Sequence, residues 1–372
     1  MNPADIKIPD NLKPADGRFG AGPSKVRDDA VAALAGRGRD LMGTSHRQEP
    51  VRAMVGRLRE GLTELFSLPD GYEVVLGNGG TTVLWDAMAF GLVERKSMHY
   101  VFGEFSRRCA EVMSDAPHLS EAEIVASEPG THPVPVPSED ADFFALTHNE
   151  TSTGVMMPVR RGGAHGIVAV DATSAAAGLG VDPAEFDFYY FAPQKGLASD
   201  GGLWLALASS AAIERIASID ASDRYVPASL DLAIALDNSR MNQTYNTPAL
   251  ATILLAVHQI DWINGNGGLE WAAARCEQSS RALYSWAESS ANARPFVERP
   301  EQRSNVVVTI DFDDSIDAAA VTAALRANGI VDTEPYRKLG RNQIRIATYP
   351  AVDPEDALAL TGCLDFVIER LG

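Results

Sequence analysis

Between residues 73 and 207, short apolar runs alternate with segments of helical period, and that alternation limits the folds open to this chain. Runs at 73–76, 99–102, 123–126, 142–146, 167–170, 188–192 and 203–207 are strand-length. The last five read as strands buried on both faces. Helical patterns cover 26–35, 83–93 and 104–113. Another follows Gly43–Thr44–Ser45–His46, where Val51, Met54, Val55, Leu58, Leu62 and Leu65 recur at helical spacing. The alternation predicts an α/β fold with a mostly parallel, seven-stranded-type sheet covered by helices on both sides.

After Gly267–Gly268 the pattern changes. An amphipathic helix over 269–288 leads to a strand at 306–312, a helix at 317–327 and a strand at 343–347. A closing helix starts from Asp353, with Pro354 suited to its first turn. We therefore expect an N-terminal arm (1–16) packing with the small domain, a large domain (17–266) and a smaller α+β C-terminal domain (267–372). A chain of 372 residues is long enough for both cores.

The net charge of −18 argues against nucleic acid and anionic membrane surfaces, which select for basic patches. Any cations that hold an anionic substrate must then be few and local. Cys109, Cys276 and Cys363 are odd in number and scattered, so they suggest no disulfide framework or zinc pattern, and a reducing interior suits them. The polar start with Pro3, Pro9 and Pro14 has no signal-peptide pattern, and no run reaches the ~18 apolar residues of a membrane span. The expectation is a cytoplasmic protein.

The 188–192 run leads through Pro193 and Gln194 to Lys195 and Gly196, and the 167–170 run ends at Asp171. Groups at the carboxyl ends of successive strands face the crevice where such sheets bind ligands. Pyridoxal phosphate takes a lysine as Schiff-base partner and a carboxylate to keep its ring nitrogen protonated. Taken singly, Lys195 could be a solvated strand end and Asp171 a helix cap. The loop Gly77–Asn78–Gly79–Gly80–Thr81–Thr82 joins a strand to a helix and fits a phosphate cradle. It also fits part of a dinucleotide motif, with Glu104 as ribose acid, although Thr82 stands where the third glycine belongs. The polar loop 147–154 puts Thr151 at the same sheet edge, or is a plain turn. Ser45 with Gln48 suggests a capping box, which leaves His46 and Arg47 as anion binders. Arg345, alone in an apolar strand, is either a carboxylate clamp or solvent-facing.

Gly22–Pro23–Ser24, Gly43–Thr44–Ser45–His46–Arg47, Asn149–Glu150–Thr151, Asp171, Ala192–Pro193–Gln194–Lys195, Tyr245–Asn246–Thr247–Pro248 and Arg345–Ile346–Ala347–Thr348–Tyr349 occur in one order. Together they resemble the phosphoserine aminotransferase family, part of the class V, fold-type-I group of pyridoxal phosphate enzymes. The resemblance runs nearly end to end. It implies that Lys195 binds the cofactor covalently and that Asp171 pairs with its ring nitrogen. It further implies that Thr81, Thr82 and Gln194 help hold the cofactor, that Thr151 touches its ring oxygen and that Phe105 stacks on it. Asn246 and Thr247 would reach the cofactor phosphate of a neighbouring subunit in a homodimer. His46, Arg47 and Arg345 would bind small anionic substrates: phosphoserine, glutamate and 2-oxoglutarate. Many family members carry an arginine where Thr82 stands and a tryptophan where Phe105 stands.

The implied activity is amino transfer in serine biosynthesis, with a phosphorylated substrate of pyridoxine biosynthesis as a further possibility. A cysteine-desulfurase-type lyase needs a nucleophilic cysteine on a mobile loop, whereas all three cysteines fall in predicted helices. A sister aminotransferase acting on serine, alanine or glyoxylate would have little use for His46 and Arg47. A nucleotide-binding module without catalysis is the remaining alternative.

Overall fold

A computed structural model describes residues 2–163 and 165–371. In chain order its strands are β1 (Glu73–Asn78), β2 (Ser97–Val101), β3 (Glu123–Ala126), β4 (Phe143–Thr147), β5 (Asn149–Glu150) and β6 (Val155–Met156). They continue with β7 (Ile167–Asp171), β8 (Phe188–Phe191), β9 (Leu203–Ala208), β10 (Ala293–Pro295), β11 (Val307–Phe312) and β12 (Gln343–Ala347). Seven of them form one sheet in the order β1-β9-β8-β7-β4-β2-β3.

Most neighbours in that sheet are parallel, but β9 runs antiparallel to both β8 and β1. The cause lies between β8 and β9, where no helix is available to carry a parallel crossover. Successive side chains sort to opposite faces. Val74, Leu76, Tyr189, Phe191 and Leu205 join the core on one side, and Val75, Phe188, Tyr190, Trp204 and Ala206 the core on the other. Strands β4, β7, β8 and β9 are buried throughout, as the unbroken apolar runs predict. The same expectation fails for β3, an edge strand whose Ile124 is 56% exposed.

Three helices, Ser210–Asp220, Leu232–Arg240 and Leu250–Gly265, occupy a stretch in which the sequence suggested no element. The third packs against the helix Glu49–Leu65 and is buried on most sides, so it shows little amphipathic period to read. The expected capping box also fails. The helix Glu49–Leu65 begins after Gln48 with Pro50 in its first turn, and Ser45 Oγ instead accepts from the Arg47 N–H at 3.3 Å. Proline pre-sets the backbone there, which makes a side-chain cap dispensable.

The second sheet, β10-β11-β12, is antiparallel and packs against Gly268–Ser289 and Ala318–Ala327, and Pro354–Leu371 packs on those two helices and shares the same core. Ile6 and Ile8 enter its core beside Val308, Ile344 and Leu325. Asn328 holds that segment by donating to the Ile6 carbonyl (2.8 Å) and accepting from the Ile8 N–H (3.0 Å). The Ala347 N–H donates to the Phe19 carbonyl at 2.9 Å, tying the chain start to β12. No helix among the described residues is long and apolar enough to cross a membrane.

Candidate active site

Strands β7 and β8 lie parallel with Asp171 opposite Tyr190, so their carboxyl ends open on one side of the sheet. A cavity of about 370 Å³ lies there, and both Asp171 and Lys195 line it. Thr81, Thr82, Phe105, Thr151 and Gln194 line it too, so seven of the expected site residues come together.

Lys195 Nζ donates to the Ala21 carbonyl at 2.5 Å, and the same oxygen accepts from the Tyr349 hydroxyl at 3.1 Å. Gly22 makes this approach possible, because a Cβ at that position would lie 1.9 Å from Nζ. Burial, then the Arg345 charge, pushes the Lys195 amine down to about 7, against the opposing pull of Asp171 and Glu150. Burial pushes Asp171 up to about 6, although hydrogen bonds from Thr173 and Tyr190 hold it down. Asp171 Oδ1 accepts from the Thr173 N–H at 2.9 Å within a turn, and no helix follows for it to cap. Burial thus moves both groups toward their uncharged forms, the amine down and the carboxyl up.

Around these two groups the polar atoms are incompletely satisfied. Gln194 Oε1, Asn149 Oδ1 and Thr173 Oγ1 are buried without a hydrogen-bond partner, and all three residues line the cavity. Such atoms cost free energy until something supplies the missing partners. The helix Thr81–Gly91 begins at the same cavity, after Gly79 (φ +112°) and Gly80, which offers no side chain to cap it. Its first N–H groups are suited to an anion. The dinucleotide reading fails at Gly77 and at Glu104. Gly77 is required for packing, since a Cβ there would lie 2.3 Å from the Trp204 ring, and Glu104 is held by Arg107 (2.7 Å) and Lys338 (2.5 Å).

Arg345 turns inward rather than to solvent. Its Nη1 donates to the Thr151 carbonyl at 3.1 Å, its guanidinium stands 5.4 Å from the Tyr336 ring, and its Nε is buried without a partner. The Phe105 ring lies 5.9 Å from that same Tyr336 ring.

The remaining expected residues lie elsewhere. His46 Nδ1 is 3.2 Å from Thr247 Oγ1, and Asn78 donates to the Thr247 carbonyl at 3.0 Å. His46, Arg47, Asn246 and Thr247 do not line the Lys195 cavity. Arg47, Asn246 and Thr247 are exposed, and within five residues of them in the chain Met42, Met241 and Tyr245 are exposed as well. His46 is buried with Nε2 unpartnered, and burial followed by the Arg47 charge pushes its pKa down.

Trp85 and Tyr190 belong to the site as well, although the sequence did not single them out. Trp85 lines the cavity and donates through Nε1 to the Tyr190 hydroxyl at 3.1 Å. It follows Thr81 by four positions and so shares its helix face, which is the signal that could have found it. The three thiols are buried and burial pushes each upward, Cys363 to about 11, which leaves no activated cysteine for a lyase. Among the described residues no group of His, Cys, Asp or Glu could hold a metal ion.

The family described as aminotransferase class-V matches residues 136–333. A phosphoserine aminotransferase of Nocardioides sp. is 58% identical over 370 residues, covering 98% of this chain and 99% of its own length. A solved phosphoserine aminotransferase from Cytophaga hutchinsonii is 24% identical with a TM-score of 0.88, covering 96% of this chain and all of its own. A phosphoserine aminotransferase from Trichomonas vaginalis, solved with pyridoxal phosphate bound, is 20% identical with a TM-score of 0.80, covering 94% and 99%.

Proposed function

This chain belongs to the class V aminotransferases, and from that premise we propose that it catalyses the phosphoserine aminotransferase reaction. Glutamate and 3-phosphohydroxypyruvate exchange an amino group reversibly to give 2-oxoglutarate and O-phospho-L-serine, a step of serine biosynthesis. The observation that carries this reading is the pairing of Lys195 with Asp171 across one cavity whose walls hold orphaned polar atoms.

The residues present fit pyridoxal phosphate. Asp171 would hold the ring nitrogen, and Thr151 and Gln194 would meet polar atoms on the ring. Phe105 would stack on it, and the helix start at Thr81 and Thr82 would take the phosphate. Bound there, the cofactor supplies an electrophilic aldehyde and an electron-withdrawing ring. Lys195 Nζ, whose proton affinity burial lowers, would take the proton from the substrate Cα and return it as general base and then acid. Arg345, with Nε unpartnered, would clamp a substrate carboxylate.

The active unit would be a homodimer. His46 and Arg47 would reach the substrate in the neighbouring subunit's site, and Asn246 and Thr247 its cofactor phosphate. Arg47, Asn246 and Thr247 are exposed and do not line this chain's own cavity, and His46, buried beside Thr247, keeps an unpartnered Nε2; both observations support that arrangement. The phosphorylated 4-hydroxythreonine step of pyridoxine biosynthesis is a second reaction suited to the same anion-binding groups. A cytoplasmic location follows from the pathway and agrees with three free thiols. We place the domain limits at 1–16, 17–266 and 267–372; a core of its own around the second sheet, which Ile6 and Ile8 join, supports them, while Ala272, Cys276 and Val307 pack into the large core and tie the two domains together.

The visible spectrum tests the reading. Protein loaded with pyridoxal phosphate should lose its lysine-bound band on adding glutamate and regain it on adding phosphohydroxypyruvate. Recovery with glyoxylate or pyruvate but not with phosphohydroxypyruvate would sink it.

A further inference from the structure

We propose that Glu150, which takes no part in the reaction as described, is the positioning residue that sets the Phe105 ring in the cavity. The inference rests on the reading of that cavity as a pyridoxal phosphate site. Glu150 is fully buried, at 0% exposure, and lies between two residues that line the cavity, Asn149 and Thr151.

A buried carboxylate usually has a cationic partner. This one is instead surrounded by neutral donors. Oε2 accepts from the Phe105 N–H (3.1 Å), the Ser106 N–H (3.0 Å) and Ser106 Oγ (3.0 Å). Oε1 accepts from the Ser152 N–H (3.2 Å) and Ser152 Oγ (2.7 Å). Ser152 Oγ in turn accepts from the Glu104 N–H at 3.0 Å. The first three N–H groups of the helix Glu104–Asp115 are thus held by residues 150–152 of another element.

Two physical consequences follow. A helix N-terminus presents N–H groups with no partner inside the helix, and the two Glu150 oxygens take them up without a lysine or arginine in between. A first turn is also where a helix frays, and Phe105 is the second residue of this one. Gly103 is the condition for the clamp, because a Cβ there would lie 2.3 Å from Glu150 Cγ. With the Phe105 backbone fixed, its ring is held between the cavity and Tyr336.

The test is a double-mutant cycle on apoprotein, read as the dissociation constant of pyridoxal phosphate and the visible dichroism of the bound cofactor. The forms compared are wild type, Glu150→Gln, Phe105→Ala and the double variant. An amide turns one acceptor end into a donor facing other donors, so Glu150→Gln should weaken cofactor binding about tenfold and change the dichroism. In the Phe105→Ala background the same change should add no more than about twofold, because the ring it positions is gone. Unchanged affinity and dichroism in Glu150→Gln, or independent multiplying effects in the double variant, would overturn the assignment. If Glu150→Gln melts before it can be titrated, Ser106→Ala takes its place in the cycle and should act in the same direction more weakly. Wild-type protein that takes up no pyridoxal phosphate would defeat the proposed function itself, whereas normal uptake with an additive cycle defeats only the role of Glu150.

Discussion

The Lys195 cavity and the His46–Thr247 patch are built from similar side chains but differ in what surrounds them. At the cavity, Asp171 and Lys195 sit at or just beyond the ends of buried parallel strands, and burial moves both titrations toward neutrality. At the patch, Arg47, Asn246 and Thr247 lie on exposed loops. Strand ends present chemical groups already aimed and desolvated, whereas loop groups need a further surface to give them an object. Under the proposed function, the first region would hold the cofactor and the second would be what each subunit contributes to its neighbour.

The largest effect should come from Lys195→Ala. Removing the proton carrier should lower kcat by about 10³–10⁴-fold and abolish the visible band, with thermal stability retained. Activity within tenfold of wild type would break the cavity's claim to the chemistry.

Mixed dimers test the contrast between the regions directly. Arg47→Ala should raise KM for phosphohydroxypyruvate by about tenfold or more through loss of a charge-assisted contact. Assayed at phosphohydroxypyruvate well below the KM of Arg47→Ala, a mixture of Lys195→Ala with Arg47→Ala subunits should show about one quarter of wild-type activity, because half of the random dimers regain one intact site. Recovery no better than the average of the two parent homodimers at that same substrate concentration would assign His46 and Arg47 some other duty.

A pH profile sharpens the electrostatic side. A lysine must lose its proton to attack an aldehyde, so cofactor uptake by apoprotein should rise as pH passes through about 7 and then level off. Arg345 is one of the charges that holds the amine down. Arg345→Gln should therefore raise the Lys195 pKa, displace the uptake curve to higher pH and slow uptake at pH 7. A curve that stays in place or moves lower would contradict the arrangement. Ser45→Ala should have the smallest effect, within about 0.5 kcal/mol of stability by thermal melting, because Ser45 does not cap the following helix.

Much of the large sheet was legible because buried strands leave unbroken apolar runs, as at Phe188–Phe191 and Leu203–Ala208. The helix Leu250–Gly265 was not, since burial on most sides removes the amphipathic period by which a helix is recognised. Lys195 and Asp171 could be found because each ends an apolar run. Glu150 could not be assigned a partner, since three of the residues that donate to it or to Ser152 lie some 45 positions earlier, at 104–106.

Local sequence alone determined the seven strands of the large sheet, the placement of Lys195 and Asp171 at or beyond strand ends and the recurrence of the family's motifs. Those properties depend on neighbours a few residues apart. Only the tertiary structure decided that β9 runs against its neighbours, that Arg345 turns inward, that Glu150 clamps a distant helix and that His46 and Arg47 stand outside the cavity. Desolvation, hydrogen-bond partners and charge–charge distances are sums over groups remote in the chain, and they take definite values only once the chain has closed around them.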